Sequence, residues 1–451
     1  MTPGKRKYRC PRACRGLFHV LLLAAVCADA PAAGQQDARG LFEDAHLQMQ
    51  NRLVYEQLDY RNGSSFRAAN GQRGKTRAVE SAYGLMFGLQ SGYTPGVLGV
   101  GLDAHAYGAV NLGTDAGNAR YSPRYLAKDE QAIRDTFGRA GAALKLRVSA
   151  TEFKWGELRT SNPIFHSSDT RLLPETNRGW LLTSTDVPTL ALQGGRFTAW
   201  ADRNSVKNGN ALFANYSGKT AGAFSFAGGA WTAPLPGLSL SAYLGQLEDN
   251  WNTLYLGGFY KHVLADKRAL SFNLNRYQSI DAGQARSGKL NTTAWSLMTS
   301  YILGAHKFGL GYQKIDGDNP FDYVNRGSIW LDNAMQLSDF NAPGEASWQL
   351  RYDADLSALV APGLKAGLGY VRGSGIDYRR MNGIYAGNLG YKGSGGRHWE
   401  RDLILAYTVQ EGKAKGLVVQ LRYSTHRANK AQGEPNVDQV RLLVEMPVSL
   451  F

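Results

Sequence analysis

The chain has 451 residues, 53 of them glycine and 15 proline, with 20% charged and 11% aromatic side chains and a formal charge of +14. Its mean hydropathy of −0.33 does not exclude a membrane barrel, whose strands alternate lipid-facing apolar with lumen-facing polar residues and average near neutral. A helical membrane protein is excluded, because no apolar run after the N-terminal region approaches the ~20 residues of a spanning helix.

The first element is an export signal. Lys5, Arg6, Lys7, Arg9, Arg12 and Arg15 precede a short apolar core from Leu17 to Val26, and Ala30-Pro31-Ala32 offers small residues before a cleavage point near Ala33. A lipoprotein signal using Cys27 is the rival reading, disfavoured by Val26, where such signals want a small residue. The expected division is residues 1–32 as signal peptide and 33–451 as one barrel domain. All three cysteines (Cys10, Cys14, Cys27) fall inside the signal. The exported chain therefore relies on its own hydrogen-bonded core rather than on disulfides. Removing six bases and one acid with the signal lowers the charge from +14 to +9. On an exported protein this suits an anion-favouring lumen or anionic lipid rather than nucleic acid.

From there the chain reads as strips of about ten residues with period-two alternation. Leu144, Leu146 and Val148 oppose Lys145 and Arg147. Trp348, Leu350, Tyr352, Ala354 and Leu356 oppose Ser347, Gln349, Arg351, Asp353 and Asp355, and Val419, Leu421 and Tyr423 oppose Gln420, Arg422 and Ser424. Similar strips occupy 268–277, 292–303, 306–315, 364–371 and 402–410. Compact turns separate them: Thr94-Pro95-Gly96, Ser149-Ala150, Asp186-Val187-Pro188, Pro234-Leu235-Pro236-Gly237, Ala265-Asp266, Gly304-Ala305, Ala361-Pro362-Gly363 and Gly412 to Gly416. Long polar, Gly-rich stretches at 111–138, 160–178, 316–345 and 374–398 alternate with them. Eight turns imply about nine hairpins, so the expected fold is all-β: a transmembrane antiparallel up-and-down barrel of about 18 strands. Its short turns are periplasmic and its long loops extracellular. Tyr55, Tyr83, Trp155, Trp180, Trp200, Tyr260, Trp295, Tyr301, Tyr352, Tyr370 and Tyr407 near strand ends suit an interfacial girdle.

Several stretches resemble the porin D (OprD) family of substrate-specific outer-membrane channels: 144–158 (LKLRVSATEFKWGEL), 317–323 (GDNPFDY), 337–353 (LSDFNAPGEASWQLRYD), 426–429 (HRAN) and 441–450 (RLLVEMPVSL). The resemblance implies a Gram-negative outer-membrane barrel of eighteen strands, monomeric or loosely trimeric. It also implies loops folded into the pore and a ladder of basic side chains guiding small carboxylate solutes. Matching ladder positions are Arg52, Arg61, Arg147, Arg422 and Arg441, and alternation adds Lys145 beside Arg147. Alternation independently puts Arg52 with His46, Gln48 and Gln50, Arg422 with Gln420, and Arg441 with Glu445. By the same likeness, loops 160–178 and 316–330 form the constriction, offering Phe165, His166, Ser167, Ser168 and Asp169 from the first and Asp318, Phe321, Asp322, Tyr323 and Arg326 from the second. Relatives that carry basic amino acids have another arginine where this chain has Gln420, and some have a lysine where it has Ala406. Arg326 falls where amino-acid channels are Gly-rich or acidic. The expected solutes are therefore anionic carboxylates, aromatic ones among them, with amino acids or peptides also considered.

Fixed guanidinium groups suit this task because they replace a carboxylate's lost hydration in bidentate fashion, and a row of them makes a track rather than a trap. The competing reading is that each arginine pairs with an inward acid such as Asp353 or Glu445 and only stiffens the wall. No cofactor or metal site is expected, since the eight histidines show neither HExxH nor paired ligand spacing, and GxSxG is absent. Two other classes stand behind the channel: a soluble exported β protein, and a barrel enzyme of lipase or protease type using Ser424 and His426, which share parity.

Overall fold

The computed structural model describes residues 34–451; the export signal expected at 1–32 lies outside them. The first half of the sheet is β1 (His46–Tyr60), β2 (Arg77–Gln90), β3 (Gly99–Asn111), β4 (Thr136–Val148), β5 (Thr151–Leu158), β6 (Thr176–Ser184), β7 (Leu190–Ala201), β8 (Phe224–Thr232) and β9 (Leu238–Leu247). The second half is β10 (Trp251–Ala265), β11 (Arg268–Asp281), β12 (Asn291–Leu303), β13 (His306–Asp316), β14 (Ala346–Asp355), β15 (Leu364–Asp377), β16 (Ser394–Thr408), β17 (Val418–Ala428) and β18 (Val437–Ser449). Each strand pairs antiparallel with the next, and β18 closes on β1 with Glu445 opposite Arg52 and Arg441 opposite Glu56. Closure pairs the backbone groups around the ring and leaves no sheet edge, as a span through lipid requires. Among the described residues no helix is long and apolar enough to cross a membrane.

Seven of the eight compact turns fall between strands where the sequence puts them; at the eighth, β10 runs through Ala265 and the turn is Asp266-Lys267. One of the two-residue turns, Gly304-Ala305 between β12 and β13, needs a left-handed residue, and Gly304 takes φ 57° without a Cβ penalty. Alternation is sharp along the wall. On β14, Ser347 and Gln349 are fully buried, while Trp348 and Leu350 between them are 57% and 61% exposed and face the lipid.

The lumen is not hollow. Phe165 (loop 159–175), Leu212 (loop 202–223), Phe321 and Leu331 (loop 317–345) and Tyr385 on the short helix α1 (Gly383–Leu389) share one buried cluster with inward Phe197, Phe224, Trp251, Tyr255 and Tyr277 of the wall. Phe165 lies with its ring 4.8 Å from Phe224, and Tyr277 hydrogen-bonds the Pro163 carbonyl at 3.0 Å. Burying each such side chain is worth roughly 1.5–3 kcal/mol, so these loops are held inside along the β7–β12 side. Trp200 joins this filling rather than the expected girdle: it is 4% exposed and its indole N–H donates to the Ala211 carbonyl at 3.0 Å.

Candidate channel constriction

Antiparallel register sets Arg422 of β17 directly opposite Arg441 of β18, and both turn inward. One strand further round, Arg52 of β1 reaches the same region. It pairs with Glu445 and with Asp169 of loop 159–175, each at 2.7 Å, and donates to the carbonyls of Arg171 (2.7 Å) and Leu172 (3.2 Å). A single guanidinium thus clamps the inward loop to the wall. Arg441 adds a bond to the Thr170 carbonyl at 2.8 Å, and Arg422 bonds the Gln336 amide oxygen. These groups, with Arg171 and Gln420, line a recess of about 490 Å³.

The charge balance there is uneven. Arg52 is compensated by two carboxylates, and Glu56 nearby is held by Arg124 at 3.1 Å and the Tyr125 hydroxyl at 2.6 Å. Among the described residues, Arg171, Arg422 and Arg441 have no carboxylate within 4 Å, and the Nε groups of Arg422 and Arg441 are buried without a hydrogen-bond partner. Burial, reinforced by the neighbouring Arg124, pushes the Arg171 guanidinium below its ordinary value. Donors left unmade in a buried place are costly, so an oxyanion that reaches them recovers the missing bonds.

The other residues singled out in the sequence lie elsewhere. Lys145 and Arg147 sit inward at the periplasmic end, away from this recess. Lys145 pairs with Asp103 at 2.7 Å and bonds the Ser91 carbonyl, while Arg147 stacks over Tyr93 at 3.9 Å and donates to the Gln35 side chain. Arg61 does not join the inward group. It is about half exposed on the outer face beyond β1, paired at 3.0 Å with Asp438, which also takes Arg427 at 2.7 Å. It is nine residues from Arg52, an odd interval that puts it on the opposite face of an alternating strand.

Most of the expected constriction residues bind the loops to one another. Phe165 is in the aromatic filling, and Ser167 accepts from the Thr160 amide and Asn177 side chain, both at 2.9 Å. The His166 carbonyl accepts from the Ser328 amide at 3.4 Å. Asp322 is buried and accepts from the amides of Tyr216 (2.8 Å) and Ser217 (3.0 Å) and from the Tyr385 hydroxyl (3.1 Å). Burial, opposed by those bonds, raises its carboxyl to about 6. Tyr323 donates to Asp339 at 2.9 Å, Arg326 pairs with Asp202 at 3.1 Å, and Asp318 meets Arg380 at 3.2 Å near the surface. Asp169, Thr170, Arg171 and Leu172 of the first loop and Gln336 of the second are what reach the arginines. Of these, only Asp169 stood out in the sequence, because loop residues carry no alternation. For the enzyme alternative, His426 has both ring nitrogens engaged, by His398 and by the Pro435 carbonyl, so it is not directed at Ser424.

Comparison with known proteins gives a consistent result. The family described as outer membrane porin, OprD family, matches residues 39–450. Porin D of Pseudomonas aeruginosa is 38% identical over 435 residues, covering 94% of this chain and 95% of that protein, and the porin-like protein GalP of Pseudomonas putida is 31% identical, covering 97% and 100%. Among solved structures, OprD of Pseudomonas aeruginosa superposes with a TM-score of 0.80 at 36% identity, covering 94% of this chain and all of that one. OpdK of the same organism, in a structure with vanillate, gives 0.80 at 34% identity, covering 91% and 100%.

Proposed function

We propose, from the premise that this chain belongs to the OprD family of outer membrane porins, that its channel selects small carboxylate-bearing solutes through Arg422 and Arg441 with Arg171. Family membership makes the protein an outer-membrane channel and not an enzyme; the selectivity and the ladder are our reading. The observation that carries it is the pair of facing arginines, Arg422 and Arg441, whose Nε donors are buried, without hydrogen-bond partners, and beyond 4 Å of any carboxylate among the described residues.

An anion entering the recess sheds water and gains charge-assisted bonds in a low-dielectric setting, which is favourable enough for entry. Neighbouring guanidiniums of similar environment let it pass on, and Arg147 near the periplasmic end continues the track beside Lys145, whose charge Asp103 already takes. Arg52 differs. Its two carboxylates already occupy it, so its part is to position loop 159–175 and hence Arg171. The vanillate held by OpdK is an aromatic carboxylate, which supports that solute class here. In this reading the exported barrel, residues 33–451, works as a monomer or loose trimer after removal of residues 1–32.

The test is current recording from the refolded barrel in planar bilayers with a panel of aromatic and aliphatic carboxylates. Discrete conductance steps with concentration-dependent block by carboxylates but not by their neutral amides support the reading. Equal block by acid and amide, unchanged in Arg422→Gln, refutes it.

A further inference from the structure

Above the arginine recess, the extracellular ends of β16 and β17 bring two histidines together on the inward face. His398 Nδ1 lies 2.9 Å from His426 Nε2, with the rings steeply inclined at 78°, so that both nitrogens converge on a point instead of stacking. A carboxylate oxygen of Glu434, from the loop between β17 and β18, completes the group at 3.1 Å from His426 Nε2 and 3.5 Å from His398 Nδ1.

The remaining ring nitrogens fix the tautomers. His426 Nδ1 is 2.9 Å from the Pro435 carbonyl, which can only accept, so the hydrogen is on Nδ1. His398 Nε2 is 2.6 Å from Glu345 Oε1 and donates to that carboxylate. A neutral imidazole carries one hydrogen and one lone pair. With both rings neutral the two facing nitrogens present lone pairs and Glu434 a third, so the 2.9 Å gap is closed by a proton on His398, then an imidazolium between Glu345 and Glu434, or by a metal ion in its place. Three electron-pair donors within 4.8 Å of one another repel unless something positive lies between them. Glu345 and Glu434 together bring two negative charges to the pair; a proton on His398 cancels one of them, and a dication in its place cancels both.

We propose that His398, His426 and Glu434 bind a divalent transition-metal ion of the zinc class. Glu345 and the Pro435 carbonyl orient the two imidazoles, as outer-shell acceptors do in protein metal sites. Two imidazoles and a carboxylate suit zinc, cobalt or nickel rather than calcium or magnesium, which want oxygen donors. The histidine side chains are 1% and 2% exposed while Glu434 is 30% exposed, so an ion has a way in and a fourth position faces water. Metal–nitrogen bonds of roughly 2.0–2.1 Å in tetrahedral geometry put the nitrogens about 3.4 Å apart, so the rings part by a few tenths of an ångström on binding. Occupied, the site ties the β17–β18 loop to the wall. Through Glu345, which also accepts from the Ala342 amide at 3.0 Å, it ties down the base of loop 317–345. The sequence conceals the site because its residues are 28 and 8 positions apart and lie on no shared motif.

The experiment is titration of the untagged, detergent-folded barrel, stripped with EDTA, with zinc by calorimetry and with cobalt(II) by absorbance. One ion per chain and the d–d bands of tetrahedral cobalt(II) are expected. His426→Ala abolishes that uptake, and Glu345→Gln, which leaves all three ligands in place, weakens it roughly 10- to 100-fold. Heat-modifiable gel mobility reports folding of every variant. Absence of saturable uptake by the folded wild type overturns the proposal, as does uptake of equal affinity in the folded His398→Ala/His426→Ala pair.

Discussion

The two halves of the lumen are built to opposite plans. Along β7 to β12 the inward side chains are aromatic or small and polar, and loops pack on them until that half is protein interior, with Phe165, Tyr277 and Phe321 sharing one cluster. Along β16, β17, β18 and β1 most of them are charged or polar, and the loops bind them through backbone carbonyls and amides and polar side chains such as Asp169, Arg124 and Gln336, with a smaller apolar contact of Leu172 and Leu173 on Val54 and Leu443. The same alternation produces both walls. What differs is whether an inward residue can be satisfied by another part of the chain. The filled half sets the pore's width, and the half with unsatisfied donors sets what the pore prefers.

The division predicts distinct failures. Phe165→Ala removes a ring from the filled half and should cost about 3–5 kcal/mol in loop anchoring. The expected outcome is a larger, noisier single-channel conductance with carboxylate preference retained. Arg52→Ala removes the cation that Glu445 and Asp169 share, Asp169 keeping Arg159 at 3.0 Å, and should cost about 3 kcal/mol. It should lower the urea midpoint of the folded barrel and release loop 159–175 to proteolysis. A smaller effect is expected with pH. Burial pushes the Glu175 carboxyl up to about 7, against the pull of Arg203, while it accepts the Ser168 amide at 2.7 Å. Because its folded value is raised, the folded state holds its proton more tightly than the unfolded chain. This contribution is complete below the ordinary carboxylate range and is lost as pH rises towards and through about 7. Loop protection measured by hydrogen exchange should fall over that interval in the wild type, and Glu175→Gln should flatten the curve. Arg61→Gln should change stability by less than about 1 kcal/mol and leave selectivity untouched, since its ion pair is exposed. A selectivity change in that variant would mean the outer rim, not the inner wall, discriminates.

Much of this was readable beforehand, and the exceptions have physical reasons. The strands and the periplasmic turns, one of them displaced by a residue at Ala265, follow from period-two alternation and turn chemistry, which are local. The inward setting of Arg422 and Arg441 followed from parity against Tyr423 and Leu442. Family likeness groups Arg61 with the ladder, although its odd spacing from Arg52 already argues for the other face. Arg171 and Gln336 were invisible because a loop's direction is decided by what it packs on, here the Phe165 and Phe321 cluster. Trp200 near a strand end looked interfacial, yet its parity with Phe197 is broken by the register shift between β6 and β7 at Arg178 and Gly179, and it turns inward.

The most direct measurement is the reversal potential of the wild type and of Arg422→Gln/Arg441→Gln under a salt gradient, with a carboxylate as the permeant anion. The wild type should favour the carboxylate over the cation. The double variant, folded and of similar conductance, should lose most of that preference. An unchanged reversal potential in the double variant would contradict the assignment of selectivity to the unsatisfied arginines of β17 and β18.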